Sequence, residues 1–153
     1  MVLQKTLIIF ESYHHLNTGK IAQVIAQVLQ SELCTPDQVD LSKLSDFDMI
    51  GIGSGIYFGK PHENIIKFFD SLPFLGGKKA FTFLTSGTQK EKYFQYIRER
   101  VELKGMQLVA HFSCKGFNNY GSLKLVGGIN KGHPNIQDLF LAEIFANSLL
   151  IRL

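Results

Sequence analysis

Apolar positions alternate between two rhythms along this chain. Leu7-Ile8-Ile9-Phe10 is a short unbroken apolar run, the pattern of a strand buried on both faces. Ile21, Val24, Ile25, Val28 and Leu29 then recur at helical spacing. Pro36 interrupts the chain, and Val39-Asp40-Leu41 is expected as a short second strand. Met49-Ile50-Gly51-Ile52-Gly53 is the third strand, and Ile65, Phe68, Phe69 and Leu72 form the stripe of a second helix. Gly76-Gly77 turns the chain into a fourth strand, Ala80-Phe81-Thr82-Phe83-Leu84. Tyr93, Ile97 and Val101 mark a third helix that Gly105 ends, and Leu108 to Phe112 form the fifth strand. A Gly- and Asn-rich segment over 113–135 precedes a last helix over 139–153. Glu143, Asn147 and Arg152 interrupt that helix, so a packed core helix is expected there, not a membrane anchor.

This alternation predicts an α/β fold: a doubly wound, five-stranded parallel sheet of order 2-1-3-4-5 with helices on both faces. The 153 residues suit a single domain spanning 1–153. In this strand order a ligand crevice opens at the carboxyl ends of the first and third strands. The loops that matter are therefore 11–19, 53–62, 85–90 and 113–134.

Composition narrows the reading slightly. With 45% hydrophobic and 19% charged residues the chain is ordinary for a globular protein. No apolar run reaches membrane-span length, and the N-terminus does not read as a signal peptide. A cytoplasmic location is the expectation, with Cys34 at a helix end and Cys114 at a strand end as reduced thiols in core positions. Charge is uneven: residues 1–50 carry three Lys/Arg against six Asp/Glu, and the remainder carries thirteen against seven. The net +3 is too mild to imply nucleic acid.

The loops carry the candidate chemistry. In Glu11-Ser12-Tyr13-His14-His15-Leu16-Asn17-Thr18-Gly19, hydroxyl and amide groups precede a helix, where free N–H groups and the helix dipole favour a phosphate. Asn17 or Thr18 acting only as a helix cap is an equally good reading of the spacing. A Walker A loop is excluded, because Ile21 follows Gly19-Lys20 and His14 holds the earlier glycine position. In Gly53-Ser54-Gly55-Ile56-Tyr57-Phe58-Gly59-Lys60-Pro61, glycines admit close approach of a ligand to the backbone, and two aromatics stand where they would cover a planar ring. The competing reading is a hydrophobic plug over the sheet. Thr85, Ser86, Gly87 and Thr88 form a small polar cluster after the fourth strand: a turn with a cap at Thr88, or a wall for a polar ring edge. The segment from Ser113 to Pro134 is long for a connection in a compact domain, which points to function or a subunit contact.

These loops together resemble the flavodoxin family, of the compact type found in bacteria and archaea, over nearly the whole chain. Asn17-Thr18-Gly19-Lys20-Ile21-Ala22 resembles the family's phosphate loop, and Gly53 to His62 the loop over the isoalloxazine. Thr85-Ser86-Gly87 resembles the loop at the flavin's polar edge, and Lys131-Gly132-His133-Pro134 a subgroup's C-terminal signature. The resemblance implies a flavodoxin-like fold with FMN as cofactor. Ser12, His14, Asn17 and Thr18 would then bind the phosphate, and Tyr57 or Phe58 would stack on the ring. Ser54, Gly55, Ile56, Gly59, Thr85, Ser86 and Gly87 would meet its edges, with Gly59 in the peptide that flips on reduction.

Two departures stand out. The phosphate loop carries His14-His15-Leu16 where the family has small residues, and it is one residue longer from Ser12. Flavodoxins are typically strongly acidic, whereas Lys60, Lys90, Lys92, Lys115, Lys124 and Lys131 lie in or beside these loops. One charge roughly 10 Å away in water is worth about 0.4 kcal/mol, or on the order of 20 mV for one electron. The expectation is an FMN-binding electron carrier whose redox partners present acidic faces, as a monomer or homodimer. An FMN-dependent NAD(P)H reductase of quinones or other small acceptors is the alternative, and a flavin-free structural member is a further one. A phospho-receiver is disfavoured, because the third strand ends in Gly53-Ser54 where an Asp is needed.

Overall fold

The computed structural model describes residues 4–12, 16–119 and 121–151. Five parallel strands lie in the order β2-β1-β3-β5-β6: β1 (Thr6–Glu11), β2 (Glu32–Cys34), β3 (Met49–Tyr57), β5 (Lys79–Ser86) and β6 (Gln107–Lys115). A two-residue strand, β4 (Lys60–Pro61), folds back antiparallel on the end of β3. The helices are α1 (Asn17–Leu29), α2 (Glu63–Ser71), α3 (Glu91–Leu103) and α4 (Ile136–Ile151). Counted without β4, the order is the expected 2-1-3-4-5.

Alternation along the strands divides the core in two. Leu7, Ile9, Ile50 and Ile52 face α2 and α3, where they meet Ile65, Phe69 and Ile97. Ile8, Met49, Phe81 and Phe83 face α1 and α4, where they meet Ile21, Ile25 and Ala146. Burial on both faces is why the strands read as unbroken apolar runs. Gly51 and Gly53 on β3 stand beside Phe81 and Phe83 on β5. A Cβ on either glycine would fall 2.3 Å or less from the neighbouring ring. The two phenylalanines thus occupy space that the glycines leave.

Three local readings need correction. The second strand is Glu32–Cys34, not Val39–Leu41; Asp40 instead caps a 3-10 turn by accepting from the Ser42 N–H at 3.0 Å. Cys34 therefore lies in a strand, not at a helix end. The third strand runs on to Tyr57, so half of the supposed second loop is strand. The final helix is a packed core helix on one side only: Ala142, Ala146 and Leu149 are buried, whereas Ile136, Phe140, Ile144 and Ile151 are exposed.

Candidate functional site

The carboxyl ends of β1, β3, β5 and β6 carry every loop singled out above. At the head of α1, the residue before the helix is Leu16 in a left-handed conformation (φ 53°), with no side-chain cap. Asn17 and Thr18 are thus the first two helical residues and not caps. Ser12 reaches across to do that work: its hydroxyl accepts from the Gly19 N–H at 3.0 Å. The N–H groups of Asn17 and Thr18 have no partner within the helix, as first-turn geometry dictates. The Ser12 hydroxyl, having accepted, keeps its own proton to donate. Tyr13, His14 and His15 lie outside the described residues.

Asn17 and Thr18 point to different surroundings. The Asn17 Nδ2 donates to the Phe117 carbonyl at 3.0 Å, tying α1 to the segment after β6. Its Oδ1 is buried without a hydrogen-bond partner, an acceptor awaiting a donor. The Thr18 side chain is buried and meets the Thr85 hydroxyl at 2.8 Å beneath the loops.

The ends of β3 and β4 form a tight hairpin with Phe58 and Gly59 at its tip. Tyr57 pairs with Lys60, leaving a two-residue turn. Phe58 at φ 51° and Gly59 at φ 83° both take positive φ, which defines a type I′ turn. Glycine accepts that backbone readily; phenylalanine does so at a cost of roughly 1–2 kcal/mol. The Phe58 side chain is 88% exposed and belongs to neither half of the core. The Tyr57 ring folds back over Gly55, its hydroxyl 2.7 Å from where a Cβ would stand, and meets His62 edge-on at 5.4 Å. Ser54 is fully buried: its hydroxyl donates to the Gly55 carbonyl at 2.7 Å and accepts from the His62 N–H at 2.8 Å. Ile56 is half-buried against the α2–α3 core.

The third loop is held from outside. The Ser86 carbonyl accepts from the Gly116 N–H at 3.0 Å. The Gly87 carbonyl accepts from Asn130 Nδ2 at 2.6 Å. Thr88 is not a cap, since α3 starts after Lys90; its hydroxyl lies 3.3 Å from that of Tyr93. Asn118 and Ile129 pair across the chain and cover Gly87. Asn130, in a left-handed conformation (φ 57°), was not among the residues expected at the site. The Gly127-Gly128-Ile129-Asn130 sequence was its only signal, since Asn tolerates that backbone. Residues 116–119 and 121–133 thus fold back over the crevice between α1 and β5.

The surrounding charge is one-sided. Lys60, Lys90, Lys92, Lys115, Lys124 and Lys131 are all exposed, and none forms an ion pair among the described residues. Cys114 at the end of β6 is buried, and burial with the nearby Asp138 charge pushes its thiol up to about 12. It belongs to the core and not to the chemistry.

A strand order of this kind, with two aromatic residues and the head of α1 at the switch point, defines a flavodoxin-type domain. The flavodoxin domain family matches residues 7–126, and the chain belongs to it. An uncharacterized protein of Methanocaldococcus jannaschii is 43% identical over 148 residues, covering 95% of this chain and 98% of that protein. A flavodoxin from the domain Archaea superimposes with a TM-score of 0.74 at 19% identity, covering 97% of both chains. A flavoprotein of Lactobacillus acidophilus solved in complex with FMN gives a TM-score of 0.57 at 22% identity, covering 72% of this chain and 93% of that one.

Proposed function

We propose that this single-domain protein binds FMN without a covalent link and carries electrons between protein partners. The observation that carries the reading is Phe58: a bulky aromatic held at positive φ and 88% exposed, at the hairpin beside the switch crevice. Strained backbone of this kind clusters at ligand clamps and switch regions. The solved complex of a similar fold with FMN supports the choice of cofactor.

The residues present fit that group. Ser12 would donate its hydroxyl to the phosphate, joined by the N–H groups of Asn17 and Thr18 and by the positive end of the α1 dipole. The orphaned Asn17 Oδ1 is an acceptor, so it suits a sugar hydroxyl better than a phosphate oxygen. Tyr57 and Phe58 would cover the ring, with Ser54, Gly55, Ile56 and Gly59 on one side and Ser86 and Gly87 on the other. Thr85 acts from below, through Thr18, by fixing the head of α1 against β5. Bound FMN supplies reversible uptake of one or two electrons. The protein's own part is to hold the ring, shield it from water and present it at a lysine-rich rim. That rim favours acidic partner faces and fast encounter at low salt.

A groove of about 400 Å³ along Tyr57, Phe58, Lys60 and His62 gives the NAD(P)H reductase alternative its support, since substrate pockets start near that size. Steady-state assay of the FMN-loaded protein with NADH or NADPH and a soluble quinone separates the two. The carrier reading expects no sustained nicotinamide oxidation unless a reductase is added. Sustained turnover by the protein alone would replace it with the enzyme.

A further inference from the structure

We infer that this protein self-associates through the outer face of α4. The sequence of α4 carries two apolar stripes on nearly opposite sides. Ala142, Ala146 and Leu149 form the buried stripe against α1 and the sheet. Ile136, Phe140, Ile144, Asn147 and Ile151 follow one another at spacings of four or three residues, so they share a second face. That second stripe points to solvent: Ile136 is 87% exposed, Phe140 59%, Ile144 49% and Ile151 86%. Leu141 beside it is 47% exposed. A helix that is apolar all round belongs in an interior, and the fold of one chain supplies an interior for only one side.

The area is sufficient for a dimer. At roughly 200 Å² per fully exposed side chain, those five residues present on the order of 650 Å² of apolar surface. A standard interface takes about 800 Å² per partner, a little over half of it apolar. The shape also suits a copy of itself. Ile136, Phe140 and Glu143 from α4 and Val24, Gln27 and Val28 from α1 line a groove of about 590 Å³ on this face. Protruding side chains and a receiving groove therefore lie side by side, as a two-fold contact requires. A polar Asn147 within the stripe is the kind of residue that fixes register between paired helices.

Charge argues against other occupants. From Ile136 to Ile151 there is no Lys or Arg, and the ionisable groups are Asp138 and Glu143. An amphipathic helix that lies on an anionic membrane carries Lys and Arg along its polar face, and the polar face of α4 carries Asp138 and Glu143 instead. The acidic partners expected at the lysine rim would be repelled here.

Sedimentation equilibrium of the full chain at micromolar concentration tests the inference. The wild type is expected near twice 17.2 kDa. Ile144→Glu and, separately, the milder Phe140→Ser should raise the dissociation constant roughly 30-fold or more, with unchanged circular dichroism. Leu33→Glu, on an exposed position of β2, should leave the mass unchanged. A wild type that stays monomeric across the micromolar range would overturn the inference. So would a dimer indifferent to both α4 variants, or a monomer that pellets with phosphatidylglycerol vesicles.

Discussion

The hydroxyls of Thr18 and Thr85 meet at 2.8 Å in the buried interior, joining the head of α1 to the end of β5. Both residues belong to segments whose sequences resemble flavin-binding loops, yet one opens α1, the other lies near the end of β5, and each spends its side chain on the other. Thr18→Val leaves the Thr85 hydroxyl buried without a partner, which should cost about 1–3 kcal/mol of stability. Thr85→Val should cost a similar amount. The double variant should cost clearly less than the sum of the two, as read by urea unfolding in a double-mutant cycle.

Phe58 offers a stability change of the opposite sign. Asn-Gly is the preferred pair for a type I′ turn, and Asn tolerates positive φ where Phe does not. Phe58→Asn should stabilise the flavin-free protein by about 1 kcal/mol. On the reading above, the same change should weaken FMN binding on the order of 10-fold, as expected for losing an aromatic contact of about 1–1.5 kcal/mol. Thermal unfolding without flavin and a fluorescence titration with it give both quantities.

Ser12 is expected to separate FMN from riboflavin. A hydroxyl donating to a charged phosphate contributes about 1.5–3 kcal/mol, so Ser12→Ala should lower FMN affinity by roughly 10- to 100-fold. Riboflavin, which lacks the phosphate, should lose much less. Equal losses for the two ligands would mean that Ser12 serves only as the Gly19 cap.

His111 sets an acid-side prediction away from the crevice. It lies in β6 opposite Thr82 of β5, its Nδ1 is 2.7 Å from the Thr82 hydroxyl, and its ring stacks on Phe94 at 4.2 Å. Burial pushes its pKa down from 6.5 to about 4, opposed by a hydrogen bond to the Thr82 backbone. Between those values the unfolded chain binds the proton and the folded one does not. This contribution to stability is therefore full above about pH 6.5 and is lost as pH falls toward 4, by up to about 3 kcal/mol. His111→Gln should flatten that part of the pH–stability curve measured by urea unfolding.

Much of this architecture was legible in the sequence because burial on both faces writes strands as apolar runs. Leu7 to Phe10 and Ala80 to Leu84 are examples, and they lie in β1 and β5 as expected. Val39 misled because an apolar residue that ends a 3-10 turn, here Pro36–Gln38, can pack against the core as a strand residue does, and Glu32-Leu33-Cys34 is too short to announce a strand. Phe58 and Tyr57 were visible as a pair, but their hairpin was not, because the turn breaks the Asn-Gly rule that advertises it. Asn130 and Phe117 were out of reach for another reason. Their contacts with Gly87 and Asn17 span 43 and 100 residues, and local pattern carries no signal at that range.

The central claim is that the crevice between the α1 head, the Tyr57–Phe58 hairpin and the Ser86–Gly87 turn holds FMN. Titrating FMN with the purified protein while recording flavin fluorescence and visible absorption tests this most directly. Saturable binding of one FMN per chain, with quenched fluorescence and a shifted flavin band, is the predicted result. Flavin fluorescence and absorption that stay those of free FMN at excess protein would contradict it.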